Sequence, residues 1–292
     1  MRICVCVKQT PDSSSVYVDP ISGEIDGARF VQILNPADAC AIEAAVRLKE
    51  LHGGHITALT FGPHDAEGAL RAALALGATT VARLWNPQAA EWGAFTVAAA
   101  LAAYIQREMP SFDLILCGDT SSDWASGIVG PALAQYLDLP QITGVVQLHS
   151  TNAHELVTLH LTRKLERGYR ELIEAELPLL ITVTGDLNEP RYPSLPSHLA
   201  ALTATIPVFD PLTLMDRHAR QDEANETTLI EVHTPRPRPR HLVAPNSKHS
   251  PYQRIGEIVS GGTATRQVRL VEGSPQELAT ELVKFLQHKG FI

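Results

Sequence analysis

Residues 55–84, HITALTFGPHDAEGALRAALALGATTVARL, decide the fold. His55–Phe61 reads as an apolar strand, Asp65–Leu76 repeats Ala and Leu at helical spacing, and Thr79–Leu84 reads as a second strand. A strand, a helix of ten or more residues and another strand require a crossover, so the two strands should be parallel neighbours in a sheet covered on both faces. The unit recurs on either side. Residues 2–7 (RICVCV) read as a short buried strand, and a helix starts at Asn35-Pro36. There Asn is a favoured N-cap, Pro fits the first helical position, Asp38 puts negative charge in the first turn, and Gly53-Gly54 end the helix. Downstream come a helix at Ala94–Arg107, a strand at Asp113–Cys117 (DLILC) and a helix at Ser126–Tyr136. The expected fold is α/β, a doubly wound, mostly parallel, Rossmann-like sheet.

Outside this alternation the pattern changes. Residues 9–31 are polar and turn-rich, with a hairpin expected at Val16, Tyr17 and Val18. After Pro140, Gln141–Leu148, Leu156–Leu161 and Tyr169–Glu176 look like antiparallel strands, and Leu179–Thr184 (LLITVT) should return to the main sheet. From Ile206 the chain turns irregular, passes through a polyproline-like TPRPRPR at residues 234–240 and ends in a helix at Pro275–His288. The expected organisation is a main α/β domain at 1–205 and an extended C-terminal arm at 206–292, too thin in hydrophobes for its own core. Leu282, Val283, Phe285 and Leu286 give the arm's last helix an apolar stripe suited to another chain.

Composition narrows the classes. Of 292 residues, 45% are hydrophobic and only 5% aromatic, so the core should be aliphatic and Ala-rich. A net charge of -8 argues against nucleic acid as the main partner, and the arginines of TPRPRPRH fit an extended arm against an acidic surface better. Cys4, Cys6, Cys40 and Cys117 form no C-x-x-C pair and no zinc-type cluster, so they read as small buried hydrophobes in a reducing compartment. Scattered histidines such as His154 and His160 read as surface residues. The chain opens directly into a strand without a leader, and no stretch reaches the ~18 apolar residues of a membrane span. A cytoplasmic protein without direct membrane insertion is expected.

Doubly wound sheets bind ligands beyond the carboxyl ends of the strands, where strand order reverses. The first strand and DLILC should flank that crevice, with the loops Lys8–Asp12 and Gly118–Ala125 above it. The second loop, GDTSSDWASG, runs into a helix expected to start at Ser126-Gly127. Free N–H groups and the positive helix end suit an anion; Ser126 can cap, and Gly127 permits close approach of a phosphate. A capped loop without a ligand has the same residues, so spacing alone leaves both readings open. No G-x-G-x-x-G follows the first strand, and no P-loop or G-x-S-x-G elbow occurs; Ser260-Gly261-Gly262 reads as a turn. No nucleophile, general base or metal set stands out, so catalytic and metal-ligating residues are expected to be absent.

The segments VCVKQTPD, LNPADACAIEAAVRLKE, ALTFGPHDAEGALRAALALGA, LILCGDTSSDWASGIVG and GDLNEPRYPSLP, in that order, resemble electron-transfer flavoprotein β subunits over about residues 1–205. The ending LVKFLQHKGFI and the GDxSSD wording resemble the Fix-type branch. The resemblance implies a β subunit that binds AMP or, in electron-bifurcating members, a second FAD whose AMP half takes the same place. Carried over by position, the cofactor-binding residues are Cys6, Asn35, Pro36, Ala37, Asp38, Phe61, Gly118, Asp119, Thr120, Ser121, Ser122, Asp123, Trp124, Ala125, Ser126, Gly127, Ile128 and Val129. Gly118 and Asp123 match the family loop, whereas Thr120, Ala125 and Ile128 replace its usual Gln, Asp and Gln, and Trp124 stands where bifurcating members carry Gly.

The resemblance further implies an FAD-bearing α subunit as heterodimer partner. Electrons would pass from redox partners such as acyl-CoA dehydrogenases to a quinone oxidoreductase or a ferredoxin-linked acceptor. Partner docking would fall on Asn188, Glu189, Pro190, Arg191, Tyr192 and Leu195, with Leu195 entering an apolar pocket of the partner. Pro190, Pro193 and Pro196 stiffen that segment, which suits docking but also an ordinary linker. The alternative is a free-standing nucleotide-binding module of the universal-stress type, which has no use for NEPRYPSLP or the arm. An ATP-using ligase or sulfurtransferase would need an SGG-type loop where VKQTPD stands.

Overall fold

Ile3, Cys4, Val5 and Cys6 are all buried, as a strand covered on both faces requires. They form β1 (Arg2–Cys6) of a computed structural model that describes residues 1–17, 19, 25, 30–153, 156–215, 248–259 and 273–288. The chain divides into two compact units, residues 1–235 and 236–292.

In the first unit, β1 pairs in parallel with β4 (His55–Phe61) on one side and β6 (Leu114–Gly118) on the other. Outward from β4 lie β5 (Thr80–Leu84) and the two-residue edge strand β11 (Val208–Phe209). Outward from β6 lie β10 (Leu179–Val183) and then β7 (Gln141–Ala153), all parallel. The antiparallel strands β8 (Leu156–Lys164) and β9 (Arg170–Glu176) complete the nine-stranded order β11-β5-β4-β1-β6-β10-β7-β8-β9. Strand order therefore reverses between β1 and β6, the pair expected from the sequence.

Alternation along β1 builds the two layers. Ile3 and Val5 pack with Ile42, Leu48 and Leu70 of α1 (Pro36–His52) and α2 (Glu67–Leu76). Cys4 and Cys6 pack on the other face with Ala98, Leu101 and Ile105 of α3 (Ala94–Glu108) and with Leu133 of α4 (Val129–Tyr136). Small Ala and Cys side chains let these helices lie close to the sheet. All four cysteines are free and buried. The Cys6 partner and burial push the Cys4 thiol well up, and burial does the same for Cys117.

Three local expectations need correction. The last parallel-layer helix begins at Val129, not Ser126, because Ala125 and Gly127 adopt φ of 50° and 64° and hold the chain out of the helix. Val16 and Tyr17 are not in a strand, while Val18 lies outside the described residues. Instead β2 (Gln9–Pro11) and β3 (Gln32–Leu34) pair antiparallel and close the polar excursion at its base. Beyond Ile206, buried Ile206 and Met215 and the short helix α6 (Pro211–Leu214) still pack on the first unit. The TPRPRPR segment, Ser260-Gly261-Gly262, His154 and the final KGFI lie outside the described residues. In the second unit, α7 (Pro251–Val259) was not apparent from the sequence, and α8 (Pro275–His288) has the bounds expected of it. Leu282, Val283 and Phe285 are exposed on α8 within this chain.

Candidate functional site

The reversal point is held together by two side chains from the start of α1. Asp38 is buried, and its Oδ2 accepts the backbone N–H of Lys8 while its Oδ1 accepts that of Gly118, each at 2.8 Å. One carboxylate thus ties the end of β1 to the end of β6. Burial pushes its pKa up to about 7, against the opposing pull of those two N–H groups and the Asn35 amide. Asn35 fills the cap position of α1 without a side-chain capping bond. Its side chain reaches across the crevice, donating to the Thr120 carbonyl at 3.0 Å and accepting from the Ser122 N–H at 3.1 Å. The residue type that signalled a helix start is used to fix the loop after β6.

Gly118 must be glycine here: a Cβ would run into Asp38 Oδ1 and lie 2.9 Å from Ala37 Cβ. From it the loop rises through Asp119, Thr120 and Ser121 to Ser122, whose hydroxyl donates to Thr10 Oγ1 at 2.9 Å. Asp123 forms an ion pair with Lys8, Nζ to Oδ2 at 2.6 Å. Burial would raise the Asp123 carboxyl, but the bonds from Lys8 and Ser121 outweigh it and hold it below the usual range. Burial raises Asp119. Among the described residues, the backbone N–H groups of Ser126, Gly127, Ile128, Val129 and Gly130 find no protein acceptor. They end at the positive pole of α4, which carries no side-chain cap. Gly130 is also confined, since a Cβ there would lie 2.7 Å from Thr182 Cγ2.

Asn35, Pro36, Ala37, Asp38 and the Gly118–Val129 loop are therefore gathered at one point, with Cys6 buried below them at the end of β1 beside Cys117. Phe61 ends β4, next to β1, and belongs to a ring cluster, stacked on Trp92 at 5.8 Å and edge-on to Trp85 at 5.7 Å. Trp124 is exposed. Lys8 and Thr10 belong to the site although only their loop, not their roles, was singled out; a lysine immediately after the central strand was the available signal. A cavity of about 320 Å³ opens at the opposite, amino ends of the strands, by Arg2, His55, Thr80 and Tyr104, away from this crevice.

The NEPRY segment lies along α1. The Asn188 amide donates to the Cys40 carbonyl at 3.0 Å, and the Cys40 thiol donates back to the Asn188 carbonyl at 3.4 Å. Arg191 bonds Glu43 at 2.8 Å and both oxygens of Glu50. Leu195 is not in a loop: it opens the helix α5 (Leu195–Thr203), whose N-cap Ser194 accepts from the Ser197 N–H. Tyr192 is 98% exposed and Leu195 70% exposed in this chain.

Residues 28–213 match the family described as the electron transfer flavoprotein domain. The electron transfer flavoprotein subunit beta of Thermoanaerobacterium thermosaccharolyticum is 32% identical, over 93% of this chain and 97% of that protein. The subunit of the same name from Bacillus subtilis is 33% identical over 99% of both. Protein FixA of Azotobacter vinelandii is 30% identical over 97% of this chain and 100% of its own length.

Proposed function

The chain belongs to the electron transfer flavoprotein family, and we propose that it is the β subunit of a heterodimer that binds the 5′-phosphate of an adenosine nucleotide at the β1/β6 crevice. The observation that carries this reading is the row of N–H groups from Ser126 to Gly130 at the amino end of α4, in a loop turned by two residues of positive φ. Five donors without a protein acceptor among the described residues, at the ligand end of a doubly wound sheet, suit the oxygens of a phosphate. Two of the three carboxylates at the crevice do not oppose it. Lys8 neutralises Asp123, and Asp38 is ready to hold a proton near neutral pH.

The phosphate belongs to AMP or to the AMP half of FAD; both present the same group to this loop. When bound in the complex, flavin supplies the electron-carrying chemistry. The residues of this chain bind and orient. Asp38 and Asn35 hold the crevice open at a fixed width, and Gly118 and Gly127 let backbone and ligand come close. Electron exchange with dehydrogenases, and onward to a quinone- or ferredoxin-linked acceptor, takes place beside the FAD of the α subunit. Tyr192 and Leu195 offer apolar surface to those redox partners, and the second unit from residue 236, with the exposed leucines of α8, contacts the α subunit. Likeness along nearly the whole length of β subunits, NEPRY segment included, favours this reading over a free-standing nucleotide-binding module. Among the described residues no helix is long and apolar enough to cross a membrane.

The test is Gly127→Val. Gly127 has φ of 64°, where a β-branched residue costs about 1–2 kcal/mol, so AMP affinity of the nucleotide-free complex should fall about tenfold by calorimetry while the FAD of the α subunit is retained. Unchanged affinity would remove this loop from the site.

A further inference from the structure

α5 has only nine residues, and only Ala201 of them is buried. Isolated helices shorter than about 12–15 residues are marginal in water, so this one needs support from its surroundings. Yet Leu195, Leu199 and Leu202, at i, i+4 and i+7, are 70%, 54% and 53% exposed, so the apolar stripe that would ordinarily anchor such a helix faces away from the chain. α5 lies against α2 with Ala201 buried, and an arginine binds the segment at each end.

At the entrance, three residues before Ser194, the Arg191 guanidinium joins Glu43 and Glu50, about two helical turns apart on α1. Glu43 is almost wholly buried, accepts the Arg191 backbone N–H as well at 3.2 Å, and is also bonded by Arg47. Burial would raise the Glu43 carboxyl, but the Arg191 and Arg47 bonds outweigh it and keep it below its ordinary range. At the exit, Arg71 of α2 donates to the carbonyls of Ala201 and Leu202 at 2.8 Å and of Ala204 at 3.1 Å. Those are the terminal carbonyls that a helix leaves without partners. Arg71 is held in turn by Glu67 at 3.2 Å, and Glu67 lies 3.3 Å from Arg83 of β5.

We propose that Arg191 and Arg71 are positioning residues for partner docking: together they clamp the segment 188–204 to α1 and α2, so that Leu195, Leu199 and Leu202 form one preordered surface. This rests on the docking reading given above for Leu195. The guanidinium of each arginine is engaged by carboxylates or carbonyls of this chain, so neither need touch the partner. They act by removing backbone freedom that docking would otherwise have to freeze. The paired geometry at Arg191 requires guanidinium, because lysine offers a single charge in place of a planar fork. Since α1 also carries Asn35 and Asp38, one rigid helix sets both the crevice and the docking segment.

The experiment uses the flavin-loaded αβ complex carrying Arg191→Ala, Arg191→Lys, Arg71→Ala or Leu195→Ala. Hydrogen exchange should show amides 195–203 exchanging about tenfold faster in either arginine-to-alanine variant, with α1, β1 and β6 unchanged. Arg191→Lys should recover only part of the protection, and Leu195→Ala should leave it intact. With an acyl-CoA dehydrogenase and its acyl-CoA as the electron source, the arginine variants and Leu195→Ala should raise the KM for the complex several-fold at constant kcat. Unchanged exchange over 195–203 in both alanine variants overturns the clamp. Faster exchange with an unchanged KM in the arginine variants, while Leu195→Ala raises it, overturns the positioning role. A KM unmoved by Leu195→Ala as well refutes the docking reading itself and with it the proposed purpose of the clamp.

Discussion

Replacing Asp38 by Asn keeps the shape of the side chain and removes what it does. The carboxylate accepts two backbone N–H groups, from Lys8 and Gly118, at 2.8 Å each inside the protein. An amide has one acceptor oxygen, so one of these donors would face an NH2 group and stay unpaired. A hydrogen bond to a charged group contributes about 1.5–3 kcal/mol, and a buried orphan donor costs about 1–3 kcal/mol. Relief from burying a charge offsets part of this, which leaves a destabilisation of about 2–4 kcal/mol. The pH dependence gives an independent signature. Burial raises the folded carboxyl to about 7, whereas the unfolded chain titrates near 4. Between those values the native state holds more protons than the unfolded state. This group's contribution therefore makes stability fall as pH rises from about 4 to about 7, by up to about 1.4 kcal/mol per pH unit, with no further change above that window. Asp38→Asn should abolish that slope. Urea denaturation of parent and variant at a series of pH values measures both effects. A variant within about 0.5 kcal/mol of the parent, with the same pH slope, would refute the idea that one carboxylate joins the two strand ends.

Gly118→Ala forces a methyl group against Asp38 Oδ1 and Ala37 Cβ, so it should destabilise the chain by about 1–3 kcal/mol and weaken AMP binding in calorimetry. Leu195→Ala should leave the melting temperature unchanged because the side chain is already mostly exposed; a clear drop would place Leu195 in the core instead.

Much of this was legible in the residues because the strands are short apolar runs bounded by glycine, proline and polar turns. HITALTF was read directly and DLILC one residue early, and the order reversal followed from the helices between them. The start of α4 was misread because Ser126-Gly127 carries the same side chains as a cap, while the positive φ at Ala125 has no sequence signature. The role of Asn35 was half legible: it marks the helix start, but its side chain serves a loop 85 residues away at Thr120. The roles of Lys8, Glu43 and Arg71 were not legible, since Asp123, Arg191 and the carbonyls at the end of α5 reach them only through long-range packing. Leu195 looked like loop because its flanking prolines signal a break. Ser194 and a proline in the first turn are equally the start of a helix, and that use prevails.

The central claim is that this subunit holds an adenosine nucleotide of its own. The αβ complex, purified gently and then denatured, should release one adenosine nucleotide for each copy of this chain beyond the single FAD of its partner. Chromatography of the released material distinguishes the occupants: AMP alongside one FAD, or a second FAD. A complex that yields one FAD, no second flavin and no AMP would contradict the account.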